Sequence, residues 1–144
     1  MLARLCKLLY GLYATAIFVL IAVPVCLLVI IAPGLPLRRA IGLAGMRLAL
    51  ACMGVPLRVS GLEHLPGGPC IAICNHASYL DGLILTAVLP SRFTFVVQDG
   101  AATWPLAGKT ITRMGATFGN RSAAREGARQ ARSLIRKVQN GASL

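Results

Sequence analysis

The sequence predicts an α/β fold set behind an N-terminal membrane helix or helical hairpin. Three observations predict it. Residues 8–37 contain no charged side chain. Residues 70–74 and 93–97 are short, continuous apolar runs, as in strands of a parallel sheet covered on both faces. Helical patterns follow each of these runs, and the strand–helix alternation implies a mainly parallel sheet. The chain has 144 residues, enough for one domain.

The first element lies in residues 10–32, which are almost wholly apolar. A helix crossing a bilayer core needs about 20 such residues, whereas a signal peptide has an apolar region of only about 7–15. The run ends at Pro33-Gly34 without a clear cleavage pattern, so it reads as a retained membrane helix. Pro24 removes one backbone bond inside it and tends to kink the axis. Arg4 and Lys7 precede the run, and Arg38, Arg39 and Arg47 follow it. That excess favours a cytoplasmic C-terminal part and a location in the inner or plasma membrane. Residues 40–55 are apolar around Arg47, and two arrangements fit them. One is a helix in the interface with Arg47 reaching the head groups; the other is a helix packed on the first.

Beyond it, Leu57-Arg58-Val59-Ser60 alternates like a short strand, and Leu65-Pro66-Gly67-Gly68-Pro69 has turn composition. Residues 70–74 read as a strand, 79–89 as a helix ended by Pro90, and 93–97 as a second buried strand. A helix is expected after Trp104-Pro105, then a short strand at Ala116-Thr117-Phe118. Residues 122–139 are helical by pattern, with Ala124, Ala128, Ala131, Ile135 and Val138 as the apolar stripe. Ser122 is its expected N-cap and Gly141 its stop. Arg125, Arg129, Arg132 and Arg136 form a neighbouring stripe, read as a solvated face.

Fifteen Lys and Arg against four Asp and Glu give a net charge of +11. Nucleic acid is not the expected partner, because the bases are not interleaved with aromatics. Beside a membrane segment the charge reads as attraction to anionic membrane lipid, with one or two arginines kept for a phosphorylated substrate. Five cysteines without a C-x-x-C pair read as reduced, buried small hydrophobes.

The sequence has two histidines, and one of them, His76, stands five residues before Asp81. On a regular helix those positions point about 140° apart. They meet if His76 lies in the turn after the strand and Asp81 in the first helical turn. A neutral His76 would then act as general base, with Asp81 fixing its tautomer. Ser78 and Asp81 also match a capping box, which would give Asp81 a purely structural task. Cys74, His76 and Asp81 lack the spacing of zinc sites, so no metal is expected.

The block Asn75-His76-Ala77-Ser78-Tyr79-Leu80-Asp81 resembles the N-H-x-S-x-x-D block of the glycerolipid acyltransferases, and of 1-acyl-sn-glycerol-3-phosphate acyltransferases in particular. Gly61-Leu62-Glu63-His64-Leu65-Pro66, Trp104-Pro105-Leu106-Ala107-Gly108 and Gly115-Ala116-Thr117-Phe118-Gly119-Asn120-Arg121 resemble the same family in the same order. The resemblance implies transfer of a fatty acyl group from acyl-CoA or acyl carrier protein thioester to the free hydroxyl of a lysophospholipid acceptor, lysophosphatidic acid. It implies His76 as base, Asp81 as its partner, and Arg121 as a contact to the acceptor phosphate, with no cofactor. Apart from the resemblance, Arg121 reads as part of the basic helix that follows it. Val97-Gln98-Asp99-Gly100 departs from the Lys and Glu common after the second strand. The family's Glu-Gly-Thr-Arg type block would be due after Leu144. Residues 57–144 therefore read as the N-terminal part of an incomplete acyltransferase domain, and residues 1–56 as its membrane-associated helical segment. The competing expectation is a non-catalytic membrane protein that binds lipid or a partner.

Overall fold

A computed structural model describes every residue except His76, Ala77, Tyr79 and 120–123. The fold is α/β, as the sequence predicts: a long apolar helix, further helices, and a small parallel sheet. Helix α1 runs over Leu2–Ile31 and is, among the described residues, the one helix long and apolar enough to cross a membrane. At 30 residues it is about 45 Å long. It continues through Pro24. Large apolar side chains stand exposed along its whole length, from Leu8 and Leu12 to Leu20 (70 %) and Ile31 (73 %).

Helix α2, Leu35–Cys52, folds back against α1. Residues 32–34 make the turn, and Pro36 lies in the first turn of α2, where a missing N–H costs nothing. Gly45 faces Val25, and a Cβ at Gly45 would overlap the valine side chain, so the two backbones approach closely there. Farther along the antiparallel pair, Tyr13 donates its hydroxyl to Cys52 O (2.7 Å) and Tyr10 to Met53 O (3.0 Å). These are carbonyls that the end of a helix leaves without an intrahelical donor. Tyr13→Phe is expected to lower hairpin stability by about 1 kcal/mol. The readout is the thermal midpoint of the protein in micelles; an unchanged midpoint would remove this bond from the account.

Of the two arrangements for the second apolar stretch, the structure has the packed one. Arg47 Nε donates to Ala87 O (2.7 Å), near the end of helix α3, Leu80–Val88. That position favours a cation, because the carbonyls at a helix C-terminus carry partial negative charge. Ala87 is buried at the α2–α3 contact.

Strand β1, Val96–Gln98, and strand β2, Thr117–Gly119, are parallel, with Val96 opposite Thr117 and Gln98 opposite Gly119. A parallel pair needs a crossover. Here it is a 3₁₀ turn at Asp99–Thr103 followed by helix α4, Ala107–Arg113. On the other side of the β1 chain, Phe93 forms a parallel bridge with Ser143, and Thr94 N donates to Ser143 O. Leu144 in turn bonds Cys70 O and Ala72 N. Residues 70–72, 143–144, 93–98 and 117–119 thus lie side by side.

Several sequence expectations differ from this. Residues 57–60 form no strand, since no neighbouring chain offers them a ladder. Residues 70–74 are not covered on both faces: Ile71 is 51 % and Ile73 93 % exposed. The five cysteines are free, but Cys6, Cys52 and Cys74 are exposed. Where its side chains are described, helix α5, Ala124–Gln139, turns inward a face that keeps Val138 of the predicted stripe but not Ala131 or Ile135. Gln130, Leu134 and Val138 are half-buried, whereas Ala131 and Ile135 are exposed. The cause is polar. Gln130 Nε2 donates to Phe118 O (2.9 Å) over Gly119, and Lys137 Nζ donates to Thr117 Oγ1 (2.7 Å). Gly141 (φ 95°) ends α5 as expected, with Ala142 N returning to Lys137 O. Ser122, the expected N-cap, lies outside the described residues.

Candidate active site

The candidate turn leads into α3. Ser78 Oγ accepts the Leu80 amide (3.1 Å), and Asp81 Oδ2 accepts the Ser78 amide (2.9 Å). This is the reciprocal pattern of a capping box. Asp81 N also donates to Ser78 O (3.1 Å). Asp81 therefore stands in the first turn of α3, half-buried, where the helix dipole favours its negative charge. The carboxylate is held at a fixed place beside the turn by the same bond that caps the helix. An ionised carboxylate offers about four lone-pair sites, so capping uses only part of what it can accept.

His76 and Arg121, the other two residues that the sequence singles out, lie outside the described residues. In sequence, His76 stands two residues before Ser78, and Arg121 two residues after the last residue of β2. Among the described residues, no three His, Cys, Asp or Glu side chains gather where they could hold a metal. An open groove along α1, lined by Lys7, Gly11, Thr15 and Leu20, lies on a different part of the chain from this turn.

The crossover from β1 to α4 is held tightly. Leu106 has φ 58° and ψ −53°, and Ala107 N donates back to Pro105 O (2.5 Å). This is a γ-turn with positive φ, a rare and strained conformation for a side-chain-bearing residue. It tucks Gly108 against the carbonyl of Ala102, where a Cβ would overlap backbone atoms. At the far end of α4, Gly115 (φ 84°) makes the left-handed turn that leads into β2.

Sequence reasoning missed what the arginines do. Arg113 donates through Nε (3.0 Å) and Nη2 (2.7 Å) to Ile30 O, at the end of α1. Arg38 Nε donates to Ala32 O (2.9 Å), and its Nη1 reaches Arg113 O (3.4 Å). Arg39 Nε donates to Met114 O (3.0 Å), just past α4, and its Nη1 to Arg92 O (3.0 Å). Burial lowers the Arg39 pKa from its ordinary value. Arg92 in turn holds the Pro66 and Gly67 carbonyls and stacks its guanidinium 5.3 Å from the centre of the Phe93 ring. The signal was present in the composition: with 15 basic and four acidic residues, most cations must find acceptors other than carboxylates.

An acyltransferase family profile matches residues 56–144. Over 104 residues the chain is 32 % identical to the 1-acyl-sn-glycerol-3-phosphate acyltransferase of Neisseria gonorrhoeae, covering 72 % of this chain and 39 % of that protein. The protein of the same name from Neisseria meningitidis serogroup B gives the same identity and coverage. The chain thus spans 39 % of the length of these curated relatives. No solved structure matches it.

Proposed function

Because the chain belongs to the acyltransferase family, we propose that it carries the hydroxyl-activating part of a membrane-bound lysophosphatidic acid acyltransferase. In this reading His76 takes the proton of the acceptor hydroxyl. The oxygen attacks the thioester carbonyl, the C–S bond breaks, and the thiol leaves with the proton returned by His76. The donor is acyl-CoA or acyl carrier protein, and the product is phosphatidic acid. Asp81 orients the imidazole and stabilises its charged form. Arg121 pairs with the acceptor phosphate, a task suited to a planar guanidinium. Helix α1 holds the protein in the membrane with residues 57–144 on the cytoplasmic side, so that a lipid acceptor and a soluble thioester meet at the surface.

The observation that carries the reading is the Ser78–Asp81 pair. It fixes a carboxylate in the turn of the one block whose His and Asp match the family's. The same observation favours a second reading, in which Asp81 caps α3 and does nothing else. Asp81→Asn separates them. Its amide oxygen still accepts the Ser78 N–H, so the cap survives, but it cannot stabilise an imidazolium. If Asp81 is the partner of His76, acyl transfer in the full-length protein falls on the order of 10⁴-fold, as it does when a catalytic triad loses its carboxylate. Near-native transfer by Asp81→Asn, with Asp81→Ala impaired only in stability, would leave capping as its sole role.

A further inference from the structure

Helices α1 and α4 end beside each other, and three guanidiniums gather at that point: Arg38, Arg39 and Arg113. All three bond backbone carbonyls. Two helix C-termini together supply roughly one elementary negative charge. Three cations face it, and Lys109, one turn before Arg113 on the exposed surface of α4, adds a fourth. Of the acidic side chains described, Glu63 lies beside His64, Asp81 accepts the Ser78 amide at the start of α3, and Asp99 stands exposed at the start of the 3₁₀ turn that precedes α4; no ion pair between an arginine and a carboxylate is found among the described residues. The cluster is left strongly positive.

Its unused donors face outward. Arg113 is exposed and spends Nε and Nη2 on Ile30 O, leaving Nη1 without a partner among the described residues. Lys109 has no partner there either. The neighbouring side chains are apolar and exposed: Leu27, Leu28 and Ile31 in the last turns of α1, and Leu37 next to Arg38. Cations beside exposed aliphatic side chains, at the end of a membrane-length helix, suit a ligand with a phosphate at one end and hydrocarbon at the other.

We propose that Arg113 and Lys109, backed by Arg38, bind the head-group phosphate of an anionic membrane lipid where α1 leaves its apolar run. Its ligand is a lipid of the surrounding membrane rather than the acceptor. It rests on the reading of α1 as membrane-embedded. Each cation near an anionic surface contributes about 1 kcal/mol, or about fivefold in affinity.

The test uses the full chain in neutral detergent micelles, titrated with phosphatidylglycerol, phosphatidylcholine or glycerol phosphate, with the thermal unfolding midpoint as readout. Phosphatidylglycerol is expected to raise the midpoint, and the other two to leave it unchanged. Lys109→Gln is expected to weaken the response about fivefold, and Lys109→Gln with Arg113→Gln more than tenfold. Should the double variant unfold through loss of the Ile30 bonds, Lys109→Glu reverses a charge that holds nothing in place and is expected to remove most of the response. Arg58→Gln, exposed and outside the cluster, is expected to respond like the parent. A full response in the Lys109 variants, or an equal one to phosphatidylcholine, would overturn the proposal. An equal response to glycerol phosphate would replace the lipid with a soluble phosphate and overturn it too. Flotation with pure phosphatidylcholine vesicles tests the embedding of α1 by itself, so the two readings fail separately.

Discussion

In the full-length protein, His76→Ala is expected to lower acyl transfer by about 10²–10⁴-fold while leaving the protein folded and in the membrane. The magnitude is what a positioned general base contributes when a hydroxyl is deprotonated during attack. The loss should fall on kcat more than on KM, because in the proposed mechanism the imidazole acts on the reacting proton rather than on the lipid tail or phosphate. The other histidine is no substitute. His64 lies in a 3₁₀ turn at Leu62–His64, its side chain 84 % exposed and 3.6 Å from Glu63. His64→Ala is therefore the matched control and is expected to transfer acyl groups at the parent rate. Transfer from a labelled acyl thioester to lysophosphatidic acid, followed by product extraction, measures both. Parent-level transfer by His76→Ala would rule out the His76 mechanism while leaving family membership untouched.

Gly108→Ala is the substitution with the largest expected effect on stability. In an open helix position the change would stabilise by about 1 kcal/mol, since alanine favours helix over glycine. At Gly108 the new Cβ would overlap the carbonyl carbon and oxygen of Ala102 and lie 3.0 Å from Ala101 O. These are backbone atoms and cannot rotate aside. Relief requires the 3₁₀ turn and the start of α4 to separate, at about 1–3 kcal/mol for an overpacked contact. The sign is the test. Gly82→Ala in α3 meets nothing within 4 Å and should stabilise, so the two variants should move the unfolding midpoint in opposite directions. A rise for both would show that the crossover is looser than its geometry.

The parts of the fold legible in the sequence were those that local pattern decides. The apolar run without charge became α1, Pro90 and Gly141 ended helices where expected, and Ser78 with Asp81 made the cap that their spacing suggested. Residues 57–60 and 70–74 misled because a strand depends on a partner distant in sequence. Alternation and apolar content report only a capacity to pair: residues 57–60 find no ladder, and Ile73 stands exposed just past the bonds that Cys70 and Ala72 make with Leu144. The inner face of α5 misled for a related reason. Its apolar stripe was real, but the carbonyl of Phe118 attracted Gln130, and one side-chain amide fixed the rotation of the helix. At the candidate site, residue types and spacing suggested the Ser78–Asp81 cap, while for Arg38, Arg39 and Arg113 the composition showed only that most cations need acceptors other than carboxylates, not which ones. Their acceptors are main-chain oxygens, and every residue has one.

That choice of acceptor has a consequence for acid tolerance. A peptide carbonyl does not titrate, and a guanidinium keeps its proton at any pH a protein meets. The joins from Arg38 and Arg113 to the end of α1, and from Arg39 to the end of α4, therefore contain no protonation switch. Lowering the pH weakens contacts accepted by ionised carboxylates, and the Ser78–Asp81 cap is one of those. Acidification should loosen the turn proposed to do the chemistry while the seam between the helical hairpin and the layer above it stays closed.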